Sequence, residues 1–162
     1  MNAAAIVYTS QTGFTARYAA LLAERTGLPC RPLKEAAALP RGTAVIYLGW
    51  LCAGGIKGLK EARRRFRMAA VCAVGMAAEV EEAKLRRDNR LEGVPLFYLR
   101  GGYAPEKLTG FYRAMMAPMA RLVSRAPAET EADRAMRDAF RDGGDWVSPE
   151  RLAPVLAWLD GD

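Results

Sequence analysis

The first 25 residues join a strand to a helix through a loop of small and hydroxyl-bearing side chains, and this unit narrows the choice of fold more than any other stretch. Ala3-Ala4-Ala5-Ile6-Val7-Tyr8 is apolar and strand-prone, residues 16–25 are helix-prone, and between them lie Ser10-Gln11-Thr12-Gly13-Phe14-Thr15. Backbone N–H groups at the end of such a turn and in the first turn of a helix have no partner within the chain, and with the helix dipole they favour an anion. Gly13 lets the backbone come close, and the hydroxyls of Ser10, Thr12 and Thr15 add donors around a terminal phosphate without any lysine. The same cluster would also serve as a plain turn with a helix cap. Neither the lysine of the P-loop nor the three glycines of the dinucleotide fingerprint is present.

The rest of the chain repeats the strand-then-helix rhythm, which predicts a parallel sheet covered on both faces. Strands are predicted at about 3–9, 28–33, 43–49, 69–75 and 95–99, and helices at about 14–26, 56–67, 79–91 and 149–160. Ala44-Val45-Ile46-Tyr47-Leu48 and Ala70-Val71-Cys72-Ala73-Val74 are unbroken apolar runs, as central strands should be. Gly27 suits a left-handed helix end, Ser148-Pro149-Glu150 suits a helix start, and residues 34–41 allow at most a minimal helix. With 162 residues and 51% hydrophobic content, one domain spanning 1–162 is expected. Residues 100–147 are too long for an ordinary connection, and form an insertion that is either a functional lid or cover for an edge strand.

There is no histidine, and Cys30, Cys52 and Cys72 have no metal-binding spacing. Imidazole bases and serine triads are excluded, so no catalytic side chain and no metal site is expected and redox chemistry would have to come from a bound cofactor. The net charge of +6 is uneven: residues 1–125 balance at +11 and residues 126–162 at −5, a pattern that speaks of partners rather than fold. Arg63-Arg64-Arg65 with Lys57, Lys60 and Arg67 reads as the solvated face of a helix, so no nucleic acid is expected. Without a basic start and apolar core of a signal peptide, or an apolar run of membrane-spanning length, a cytoplasmic protein is expected.

Two further loops fall at strand ends. Gly49-Trp50-Leu51-Cys52-Ala53-Gly54-Gly55 offers an aromatic plane beside glycines, with Cys52 read as a packed thiol, and Gly75-Met76-Ala77 follows the next strand. The insertion opens with Leu99-Arg100-Gly101-Gly102-Tyr103. It continues into a segment where Phe111, Met115, Met119 and Leu122 recur at helical spacing, with Arg113, Arg121 and Arg125 available for a polar side and a break predicted at Pro118.

The hexapeptide at 10–15 fits Ser/Thr-x-Thr-Gly-x-Thr and resembles the phosphate loop of the flavodoxin family. The Leu-Arg-Gly-Gly-Tyr stretch, the Phe111-Tyr112 pair, Arg113 and Met115-Met116 resemble the menaquinone-dependent protoporphyrinogen dehydrogenases of that superfamily. The resemblance implies a three-layer α/β/α fold with a five-stranded parallel sheet of order 2-1-3-4-5 and a helical insertion before the last helix. It implies flavin mononucleotide (FMN), its phosphate on Ser10, Gln11, Thr12, Gly13, Phe14 and Thr15. Its ring would lie among Gly49, Trp50, Leu51, Cys52, Ala53 and Gly54 on one side and Gly75, Met76 and Ala77 on the other. It also implies that Arg100, Tyr103, Arg113 and Arg121 meet a redox partner or a quinone- or tetrapyrrole-like molecule, with 111–125 touching the inner face of a membrane. The chain departs from the family in two respects: Leu51-Cys52-Ala53 stands where such members carry a basic and aromatic pair, and the body is basic where small flavodoxin carriers are acidic. The expected function is an FMN-dependent oxidoreductase, with a one-electron carrier and a flavin-free binding domain as alternatives.

Overall fold

A computed structural model describes residues 3–161. Five strands, β1 (Ala5–Thr9), β2 (Cys30–Pro32), β3 (Ala44–Cys52), β5 (Arg67–Gly75) and β6 (Leu96–Arg100), pair in parallel in the order β2-β1-β3-β5-β6. Counted along the chain this is the expected order 2-1-3-4-5. A sixth strand, β4 (Gly55–Ile56), returns antiparallel on β3. The result is an α/β protein with a mostly parallel central sheet, compatible with a flavodoxin-like fold.

Alternation along each strand builds two cores. Val7, Val45, Tyr47, Val71 and Ala73 face one side with Leu59, Phe66 and Leu85, while Ile6, Ile46, Leu48, Ala70, Cys72 and Val74 face the other with Tyr18, Leu22 and Val155. The first side is covered by α2 (Leu59–Arg63) and α3 (Glu82–Asp88), the second by α1 (Phe14–Thr26) and α6 (Ala153–Asp160). Burial on both faces explains why the central strands carry unbroken apolar runs. The α1 boundaries are those predicted, set by glycines in the left-handed region at both ends: Gly13 (φ 101°) and Gly27 (φ 72°), whose N–H bonds the Ala23 carbonyl.

The helices predicted at 56–67 and 79–91 are shorter than expected. The first loses its start because Ile56 pairs with Leu51 in the β3–β4 hairpin, and Arg90 (φ 52°) lies beyond the end of the second. The 34–41 stretch is a single 3₁₀ segment, Leu33–Ala38, and another, Pro149–Leu152, precedes α6.

The insertion leaves and returns through one ribbon, in which β7 (Gly102–Tyr103) pairs antiparallel with β8 (Gly144–Asp145). Between them lie α4 (Gly110–Arg125) and α5 (Glu131–Asp142), packed on each other, the latter opened by a Thr130/Asp133 capping box. The break predicted at Pro118 is absent, since α4 runs straight through that residue. Only the hydrogen bond that residue 118 would have donated is lost, on a helix whose outer side is open to water. Among the described residues no helix is long and apolar enough to cross a membrane.

Candidate ligand-binding site

At the carboxyl ends of β1, β3 and β5 lies a cavity of about 260 Å³, walled by three loops of the sheet and by α4. Open parallel sheets place ligands at this point, where the strand order reverses.

The first wall is the β1–α1 loop. The Ser10 Oγ accepts the N–H groups of Gly13 (3.2 Å) and Ala16 (3.3 Å), so this hydroxyl caps the helix from inside the loop and keeps its own hydrogen free to donate. Ser10, Gln11, Thr12, Phe14 and Thr15 all line the cavity, whereas Gly13 supplies the turn behind them. Thr15, 2% exposed, also turns toward the cavity. Hydroxyl donors at the start of a helix, beside its free N–H groups, suit an anionic acceptor.

The second wall is the β3–β4 hairpin, from which Trp50, Leu51, Cys52 and Ala53 line the cavity. Trp50 does not stand free: Tyr112 of α4 meets it edge to face at 5.0 Å, and the Lys57 ammonium lies 5.8 Å from its ring and 5.6 Å from that of Tyr112. Gly49 and Gly54 lie outside the lining. A Cβ on Gly49 would come within 2.6 Å of the Ile56 side chain, so its role is to let the returning chain cross β3. The Tyr47 hydroxyl locks that return by donating to the Lys57 carbonyl (2.6 Å), with Thr9 Oγ1 2.7 Å away; burial pushes Tyr47 up to about 12.

The third wall is Gly75, Met76 and Ala77 with Tyr98 of β6. The Tyr98 hydroxyl donates to the Ala77 carbonyl (2.6 Å), and burial pushes its pKa up to about 12, so it stays protonated at neutral pH. Tyr98 was not among the expected site residues. Its position in the last two-thirds of a predicted parallel strand, toward the end where ligands gather, was the available signal.

α4 closes the outer side with Tyr112, Met115, Met116 and Met119, beside Leu108 and Tyr103. Of the four residues expected to meet a partner, only Tyr103 lines the cavity. The Arg100 guanidinium stacks on Trp146, 3.8 Å from its ring centroid, and its Nε donates to the Met76 carbonyl (3.1 Å). Arg113 reaches the Pro105 carbonyl (3.3 Å) at the surface, and Arg121 is exposed. Among the described residues, no charged one lines the cavity.

Compared with models of known protein families, with curated proteins and with solved structures, the chain matches none.

Proposed function

We propose that the cavity is an FMN site, with the phosphate on the β1–α1 loop and the ring between the β3–β4 hairpin and Gly75-Met76-Ala77, in a flavodoxin-like oxidoreductase. The observation that carries this reading is the continuity of the cavity from the hydroxyl-bearing β1–α1 loop, at the start of α1, to the aromatic and glycine loops at the strand ends. Bound flavin supplies the electron transfer, and the protein supplies position, polarity and exclusion of water. Ser10, Thr12 and Thr15 donate to the phosphate, Trp50 and Tyr98 flank the ring, and the methionines of α4 keep water away from it. The present volume of about 260 Å³ is below the usual range for a cofactor-sized ligand, so binding of FMN would require α4 to give way.

The uncharged lining sharpens the expected substrate. A tetrapyrrole bearing propionates would bring carboxylates into a space without cations, whereas a neutral quinone-type molecule meets only methionine, leucine and tyrosine. A one-electron carrier has no need of such a wall. A flavin-free binding domain is the second reading, favoured by the small volume and by Ser10 already occupying two loop amides.

The test is the visible spectrum of the purified protein, followed by titration with FMN. Thr12→Ala with Thr15→Ala removes two donors to a charged group, each worth about 1.5–3 kcal/mol, and should weaken FMN at least tenfold. A parent that binds no flavin ends the cofactor reading; a folded double variant of parent affinity moves the phosphate elsewhere.

A further inference from the structure

The β3–β4 hairpin turns through two residues, Ala53 and Gly54, between the paired Cys52 and Gly55. Both are left-handed, Ala53 at φ 51° and Gly54 at φ 83°. Tight hairpins require this of both central residues, which is why asparagine, aspartate and glycine dominate them. Alanine at the first position is strained, because its Cβ crowds the backbone and it has no side-chain oxygen to compensate. Such strain persists only where the surroundings impose it, and it gathers at ligand sites. Ala53 and its neighbour Cys52 line the cavity.

The imposing group is on another element. Asn89, at the carboxyl end of α3 and only 9% exposed, donates through Nδ2 to the Gly54 carbonyl (2.9 Å) and accepts the Ile56 N–H at Oδ1 (2.8 Å). The other Nδ2 hydrogen goes to the Leu85 carbonyl (2.9 Å), and the Asn89 carbonyl is itself held by Arg63 of α2 (2.8 Å). One side chain thus grips the hairpin at two points just past its strained residue, the Gly54 carbonyl and the Ile56 N–H, with both of its donor hydrogens spent. It supplies from a distance what an asparagine within the turn would supply locally. Asn89 is absent from the cavity lining, so anything it does for a ligand passes through the turn.

We propose that Asn89 is a positioning residue, which holds Ala53 and Cys52 as a preformed wall of the ligand site. A wall ordered in advance spares the ligand the cost of ordering it. The effect on flavin rests on the FMN reading above; the effect on the hairpin does not.

The experiment therefore has two readouts. In the protein without added ligand, Asn89→Ala should speed amide exchange at Ile56 at least about tenfold relative to the β1 amides, since that N–H loses its acceptor. With FMN, the same variant should weaken binding about tenfold and shift the midpoint potential of the bound flavin, although no lining residue has changed. Asn89→Asp keeps an acceptor for Ile56 but loses the donors, so it should retain most of the exchange protection and still lose affinity. Adding Ala53→Gly to Asn89→Ala should restore much of the affinity, because glycine takes the turn conformation unaided. A folded Asn89→Ala protein with parent exchange at Ile56, or with parent affinity and potential, overturns the proposal. Should Asn89→Ala not fold, Ala53→Gly in the parent decides: relief of strain should slow exchange at Ile56, and unchanged or faster exchange overturns it. A parent that binds no FMN ends the flavin reading and leaves the exchange comparison standing.

Discussion

The central sheet and the α4–α5 insertion both carry large apolar side chains, but the sheet hides them and the insertion does not. Ile6, Ile46 and Leu48 are fully buried, whereas Phe111 and Leu122 are each 71% exposed. The difference follows from the number of neighbours each element can reach. A strand between two others has helices above and below it, so every apolar side chain finds a partner layer. Helix α4 has α5 on one side and the cavity on another, and the remainder of its surface meets water. The insertion is tied to the body at a stalk, through the β7–β8 ribbon, the Arg17–Asp145 ion pair (2.7 Å) and the Arg100–Trp146 stack. Stability should therefore reside in the sheet, and motion in the insertion.

The widest expected contrast is between two leucines. Leu48→Ala empties space between β3 and its covering helices and should cost about 2–5 kcal/mol in urea unfolding. Leu122→Ala should stay within about 0.5 kcal/mol, and a large loss there would mean that this face is covered in solution. Next comes Pro118→Ala, which returns a hydrogen bond to the middle of α4. An internal proline costs a helix about 3 kcal/mol, so amide exchange within 114–125 should slow markedly while the midpoint of global unfolding stays put. Movement of the global midpoint would show that α4 and the sheet unfold as one unit.

Tyr112→Ala removes an edge-to-face contact between α4 and Trp50, of a kind worth about 0.5–1.5 kcal/mol. Tryptophan fluorescence should change and exchange in α4 should rise; if neither does, Trp50 is held by the body alone. The smallest effect concerns acid. Burial acts to raise the Asp145 pKa, but hydrogen bonds from Arg17 and the Val147 N–H outweigh it and hold the carboxyl below its usual range. The pair's contribution is thus present above about pH 4, the value for a free aspartate, and lost as pH falls through the lower folded value. Both side chains are half exposed, so screening keeps the effect small. Exchange at the β7–β8 ribbon should rise in acid before the sheet responds. An acid-insensitive ribbon would assign the stalk to the Arg100–Trp146 stack.

Much of the site was legible because its carriers are local. The run Ser10 to Thr15 and the glycines that frame it lie within one turn of chain, and the ends of β3 and β5 follow from apolar runs. Tyr98 and Asn89 were not legible as site residues, since each acts on a loop that is adjacent only in space: Tyr98 on Ala77, and Asn89 on Gly54 and Ile56 across more than thirty residues. Arg100 shows the reverse case: the family resemblance put it against a partner, and in the structure Trp146, forty-six residues on, stacks on its guanidinium.

The sequence by itself determined the strand and helix rhythm, the parallel sheet and the glycine-framed turn that opens α1, because backbone propensity, apolar periodicity and capping act over a few residues; the strand order was expected from the family resemblance. Only the tertiary structure decided that α4 runs unbroken through Pro118, that three of the four expected partner residues turn away from the cavity, and that a strained alanine turn is held by Asn89. Those outcomes depend on which long-range neighbour wins each hydrogen bond and each packing surface, and that competition is settled only when the sheet has brought distant segments together.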